Sequence, residues 1–220
     1  AFGGRVLDDS KPKYVTSPEP LVYHKSDTVF ALQIAKKSAS RRFVLCEGYM
    51  DVISMHQAGF TNAVASLGTA FTSQHAGVLK RYTDQVILTY DSDGAGIKAA
   101  LRAILILRDA GISARVLNMK PYKDPDEFIK NMGADAFKER IAQAKNSFLF
   151  EIDVLKRNYQ LEDPEQKTKF YQETAKKLLQ FGEPLERDNY IQAVSREQMI
   201  KEEELRQLVN RLGMQLGLKA

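Results

Sequence analysis

The chain has 220 residues, with 32 Lys and Arg against 28 Asp and Glu for a formal charge of +4, and is long enough for one large domain or two small ones with proper cores. Its longest apolar run falls far short of the roughly 20 residues a bilayer-spanning helix needs, and no signal-peptide pattern starts at Ala1; this excludes a helical membrane protein and sets the expectation of a soluble chain. The single cysteine, Cys46, excludes a disulfide framework or a cysteine-ligated zinc site within the chain and points to a reducing, cytoplasmic setting.

Residues 1 to 41 combine short β-prone pieces around Pro12, Pro18 and Pro20 with a helical stretch near "DTVFALQIAKKSAS". They offer little core, and the opening "AFGGRVLDDSKPKY" reads like the middle of something longer. From Arg42 the pattern changes. "FVLCEG" is a short apolar strand ending at Glu47, and "YMDVISMHQAGF" is an amphipathic helix with Gly59 at its C′ position. "AVASLGT" gives a second strand and "SQHAGVLKRYT" a second helix, for which Ser73 is the candidate N-cap. "QVILTYD" is a third strand, "GAGIKAALRAILILRDAG" a long helix closed by Gly111, and "SARVLNM" a fourth strand. Strands apolar on both faces, alternating with helices, predict an α/β fold with a parallel sheet covered on both sides. In such a sheet ligands gather at the carboxyl ends of the strands. Residues 42 to 133 form this domain. Residues 134 to 220 carry helical periodicity only, broken at Asp163-Pro164 and at "FGEPLERD", with Leu205, Leu208 and Leu212 on one face, which predicts a separate helical bundle.

Three acidic motifs follow in order: Glu47 in "CEGYMD", Asp91 and Asp93 in "YDSDGAG", and Asp124 and Asp126 in "KDPDEF". Alternate residues of a strand point the same way about 6.8 Å apart. Carboxylates converging in this manner need neutralising cations, and all-oxygen donors favour Mg²⁺ or Mn²⁺. The "GAG" that opens the following helix lets a backbone approach phosphate oxygens at a helix N-terminus. Each motif taken singly is equally an N-cap or turn, because Asp is common at both. Taken together, with Glu47 and Asp91 both ending strands on one sheet edge, they point to two-metal phosphoryl or nucleotidyl transfer.

Among the remaining candidates, His24, His56 and His75 are expected at the surface or its boundary, Cys46 inside a strand, and Phe71 in the core or as a helix staple. Lys167, Lys169, Lys176 and Lys177 on the helical tail are a solvated helix face or a phosphate-attracting stripe.

The series "EGYMD", "ASLGTA", "YDSDGAG" and "DPDEF" over residues 43 to 129, preceded by "FGGRVL", "PKY", "SPE" and "YHKS", resembles the Toprim domain of bacterial replicative DNA primases together with the end of their N-terminal polymerase subdomain. The resemblance covers residues 1 to about 130 and extends only loosely into the helical tail. It implies a DNA-dependent RNA polymerase core making short RNA primers on a single-stranded DNA template from ribonucleoside triphosphates. Two or more Mg²⁺ or Mn²⁺ ions would be held by Glu47, Asp91 and Asp93 as catalytic ligands, with Asp124 and Asp126 completing the metal cluster and Asp51 supporting. Arg5, Lys13 and Lys25 would contact nucleotide phosphates or template. It further implies a bacterial cytoplasmic protein at the replication fork. The zinc module and the helicase-binding domain of these primases are expected to lie outside this chain, which is expected to be an excised core. Such primases usually have a glycine where this chain has Ala31. Two alternatives use the same residues: a Toprim-type DNA cleavage or strand-passage enzyme, for which Tyr49, Tyr90 and Tyr122 stand too close to the acidic motifs to serve as nucleophile, and a non-catalytic nucleic-acid or helicase-contact module.

Overall fold

A computed structural model describes residues 2–6, 10–12, 14–18, 23–66, 70–90 and 93–217, and the chain divides into two compact units, Ala1–Ser147 and Phe148–Ala220. Asp91 and Lys13 lie outside the described residues.

The first unit begins with an antiparallel pair, β1 (Gly3–Arg5) and β2 (Tyr14–Thr16). After β3 (Val29–Phe30) comes a single helical turn, α1 (Leu32–Ala35), and then the alternation read from the sequence: β4 (Arg42–Cys46), α2 (Tyr49–Gln57), β5 (Ala63–Ser66), α3 (Ser73–Lys80), β6 (Gln85–Thr89), α4 (Gly94–Asp109), β7 (Ser113–Val116), α5 (Pro125–Ala142) and β8 (Lys145–Asn146). Among the described residues six strands form one sheet in the order β3-β5-β4-β6-β7-β8. The inner four are mutually parallel, and β3 and β8 join antiparallel at the two edges. This is the α/β architecture expected.

β4, β5 and β6 are buried along nearly their whole length, which is why their sequences run apolar without alternation. β7 alternates, with Ala114 and Val116 buried and Ser113 and Arg115 exposed. The core joins Val44, Cys46, Val52, Met55, Ile87, Phe128 and Phe137, each buried side chain of this size contributing roughly 1.5–3 kcal/mol. α2 packs on α5, and α3 on α4. With right-handed crossovers, the move from β4 to β5 and the opposite move from β6 to β7 put α2 and α4 on opposite faces. The gap between the carboxyl ends of β4 and β6 is therefore the topological switch point, where a ligand crevice forms.

Gly59 and Gly111 close α2 and α4 with positive φ, as their positions predict. Several expectations need correction. The stretch near "DTVFALQIAKKSAS" gives one helical turn rather than a helix, because Val29 and Phe30 pair with β5 instead. Ala31 heads that turn with φ 62°, a left-handed conformation. The N-cap of α3 is Thr72, whose hydroxyl accepts from the His75 N–H, so Ser73 is already helical. Residues 134–147 belong to the first unit, not to the helical tail, because Phe137 and Ala144 are part of its core.

The second unit contains the rest of α6 (Ser147–Lys156), α7 (Pro164–Leu178), α8 (Pro184–Gln198) and α9 (Glu202–Gln215). Pro164 and Pro184 stand at the first helical turn, where a missing N–H costs nothing. Phe148, Ile152, Phe170, Leu178, Ile191, Val194, Leu205 and Val209 make its core, with Leu208 and Leu212 packed against it, so the apolar face read on α9 is the buried one. Phe181 and Tyr190 stack with ring centroids 4.0 Å apart.

Candidate active site

The edge formed by the carboxyl ends of β5, β4 and β6 is set by register. Cys46 is level with Thr89 on one side and with Ala65 on the other. Glu47, Tyr90 and Ser66, the next residue on each strand path, therefore stand in a row, and all three line a cavity of about 320 Å³ together with Phe71 and Arg102. Arg102 is exposed on the face of α4 that also offers Ala99 and Ala103 to this cavity. Sequence reasoning missed Arg102, although its i+3 spacing from Ala99 marks a shared helix face.

Glu47 acts on its surroundings through its charge. Burial and then the Glu47 carboxylate push the Tyr90 phenol above its ordinary range. Burial, followed by the charge of Asp51, pushes the Cys46 thiol far up, with Glu47 adding to the effect. Both groups are held protonated, and Cys46 is a buried part of the core, as expected.

Asp93 is the N-cap of α4, its Oδ1 accepting the Gly96 N–H at 2.7 Å. Asp124 plays the same part for α5, accepting from the Glu127 N–H at 2.8 Å, with Pro125 at the first helical position. Asp51 accepts the Gly48 N–H at 3.3 Å and so closes the start of α2 beside Glu47. Three of the acidic residues thus also serve as caps. Asp126, in the first turn of α5, pairs with Lys130. Burial works to raise its carboxyl, and the hydrogen bonds from Lys130 and the Ser54 hydroxyl, with the charges of Lys130 and Arg5, outweigh it and hold the pKa below the usual carboxylate range. Arg5 is thereby tied electrostatically to Asp126 although it sits in β1. Among the described residues no three His, Cys, Asp or Glu side chains are grouped so as to hold an ion.

Arg5 also lies over the Tyr14 ring, 5.6 Å from its centroid. Tyr14 and Phe30 each meet Tyr49 edge-on, at 5.5 and 5.4 Å, and these residues line a second, larger cavity of about 490 Å³. Lys25 lies in the turn before β3. Its carbonyl is held by His75 Nε2 at 2.8 Å. His75, expected at the surface, is fully buried, because its partner is 50 residues away in sequence and invisible to local pattern. His56 is half-buried against the carbonyl of Ala63 at 2.9 Å.

Residues 44–129 match the Toprim-like family model, residues 1–36 that of the DNA primase catalytic core, N-terminal domain, and residues 148–203 that of the DnaB-helicase binding domain of primase. The expectation that helicase contact falls to a domain absent from this chain is corrected by this last match, which covers most of the helical tail. A DNA primase of Clostridium acetobutylicum is 40% identical over 210 residues, spanning 95% of this chain and 35% of that protein. The chain thus spans about a third of the length of the curated relatives it matches. Among solved structures, a DNA primase domain from Pseudomonas aeruginosa superposes with a TM-score of 0.74 at 34% identity, over 94% of this chain and 67% of that one. A DnaG primase catalytic domain bound to ssDNA gives 0.75 at 32% identity, over 88% and 64%.

Proposed function

The chain belongs to the bacterial DNA primases, and from that membership we propose that it carries the nucleotidyl-transfer site of a primer-synthesising RNA polymerase, at work at the bacterial replication fork in the cytoplasm. The observation that carries this reading is the register of β4 and β6. It sets Glu47 level with Tyr90, one residue before Asp91, at the switch point of the sheet, with Asp93 two residues further on at the start of α4. The reaction joins the 3′-hydroxyl of one ribonucleotide to the α-phosphate of the next on a single-stranded DNA template, and pyrophosphate leaves.

The donor set suits hard divalent cations. The groups at this edge are carboxylates and hydroxyls, and the nearest sulfur, that of Cys46, is buried and protonated. Glu47, Asp91 and Asp93 would hold two or more Mg²⁺ or Mn²⁺ ions, with Asp124 and Asp126 completing the cluster and Asp51 supporting. When bound, such ions stabilise the charge that develops on the transferred phosphate and ease ionisation of the attacking hydroxyl. Arg5, Lys13 and Lys25 bind and orient the triphosphate, and Arg5 draws support from its coupling to Asp126. The N-terminal residues 1–41 hold nucleotide, the sheet domain carries the chemistry, and the helical unit contacts the replicative helicase. Strand passage is disfavoured because Tyr49, Tyr90 and Tyr122 stand too close in sequence to the acidic motifs to serve as its nucleophile.

Titrating Mn²⁺ and then ATP into the chain by calorimetry, beside Asp91→Asn and Glu47→Gln, tests this. Both ligands bind the wild type, and both variants lose the metal and the metal-dependent nucleotide affinity. Unchanged metal affinity in both variants would remove the site from this edge.

A further inference from the structure

His75 sits in the first turn of α3 with 0% exposure, and its ring stacks on Phe71, the centroids 5.6 Å apart and the planes 19° from parallel. Its hydrogen bonds fix its chemical state. The Thr72 backbone N–H donates to Nδ1 at 3.1 Å, so Nδ1 is an acceptor. The proton of the neutral ring is therefore on Nε2, which donates to the carbonyl of Lys25 at 2.8 Å. The Thr72 hydroxyl donates in turn to the carbonyl of Ser26. Two consecutive carbonyls of one turn are thus gripped by one helix N-terminus. The turn is closed from within by the amides of Asp27 and Thr28, both donating to the carbonyl of His24. A buried imidazole with both nitrogens committed to backbone is an orienting group with a defined target, and that target is the segment that carries Lys25.

We propose that His75 is a positioning residue for nucleotide binding: its Nε2–H tautomer, with the Thr72 hydroxyl, locks the Lys25 turn onto α3 and so presents Lys25 to the phosphates of a ribonucleoside triphosphate. This rests on the assignment of Lys25 to phosphate binding made above.

The two amide isosteres of histidine separate this from a purely structural role. Glutamine places its NH₂ where Nε2 is and keeps the donor to Lys25. Asparagine places its carbonyl oxygen where Nδ1 is, keeps the acceptor for Thr72 and loses Lys25. In His75→Asn, amide exchange at Asp27 and Thr28 accelerates and Mn²⁺–ATP affinity falls by roughly five- to tenfold, the equivalent of one lost hydrogen bond, while His75→Gln retains both. In a Lys25→Ala background the asparagine variant has no further effect on affinity. If His75→Asn does not fold, Thr72→Val, which releases Ser26, moves exchange and affinity in the same direction. Equal behaviour of the two His75 variants, or a loss of affinity that tracks the thermal midpoint alone, would overturn the inference. If Lys25→Ala weakens nucleotide while His75→Asn and Thr72→Val leave it alone, the positioning role fails and the Lys25 assignment stands. If Lys25→Ala is silent, the Lys25 assignment falls and this inference with it.

Discussion

Lys130 Nζ lies 2.6 Å from Asp126 Oδ2, one turn further along α5. The lysine is well exposed and the carboxylate largely covered, so the ammonium is a movable counter-ion for a charge that burial alone would not favour. A divalent cation reaching Asp126 must displace it. Replacing Lys130 by Met is therefore expected to tighten Mn²⁺ binding by about two- to fivefold, the scale of one exposed ion pair, with the gain shrinking as salt is added. Calorimetry at two ionic strengths reads this, and a weakened or unchanged affinity would mean that Asp126 does not reach the ion.

Asp93 carries two proposed duties, which asparagine and alanine separate. Asn keeps the acceptor for the Gly96 N–H and removes the charge, while Ala removes both. Asp93→Ala is expected to cost about 1 kcal/mol of stability as a lost N-cap. Asp93→Asn stays near wild type in urea unfolding yet loses divalent-metal affinity by at least about tenfold, since a ligating charge is gone. Asp124→Asn should behave in the same way for the cap of α5.

His75 also makes stability depend on pH. Burial, the largest influence, lowers its pKa below the ordinary value; the backbone contacts at Lys25 and Thr28 and the Asp27 charge pull it back only in part. The unfolded chain takes up a proton near pH 6.5 where the folded one still resists, so in that interval the unfolded state binds more protons. The stabilisation is complete above about pH 7.5 and is lost as pH falls below about 6.5, down to the folded-state pKa. Urea midpoints at neutral and mildly acid pH should fall for the wild type, and the fall should be shallower for His75→Gln.

Among the described residues, two other than glycine stand in the left-handed region. Met199, after α8, has φ 55° with a side chain 92% exposed, and Ala31 has φ 62° with its methyl buried. Met199→Gly relieves the backbone and gives up no packing, and is expected to stabilise by about 1 kcal/mol. Ala31→Gly relieves the same strain and loses buried methyl area, so its gain is smaller. Thermal midpoints of the two variants should fall in that order.

The sheet was legible because β4, β5 and β6 are buried on both faces and so unbroken in their apolar runs, while Gly59 and Gly111 mark helix ends by a backbone angle that few other residues tolerate. β3 and β8, two residues each, are too short to leave a pattern and exist only because β5 and β7 offer them partners. The three acidic motifs are visible in the sequence, and the structure gives Asp51, Asp93 and Asp124 each a backbone N–H to accept at the start of a helix. The same residues are proposed at the metal site, and a motif alone does not separate that duty from capping. The burial of His75, the coupling of Arg5 to Asp126 and the inclusion of Phe137 in the first core depend on contacts far apart in sequence, which no local window contains. The glycine missing at Ala31 was visible from the resemblance, and its left-handed φ gives the physical reason a glycine suits that place.

The short edge strands have a further consequence. A mostly parallel sheet with long open margins would recruit the margin of another molecule, chain after chain. Here, among the described residues, each margin ends in a strand of two residues, running against its neighbour. A second copy finds too few unpaired amides in line to extend the sheet. The six-stranded sheet thus offers little at either margin for a further strand to pair with.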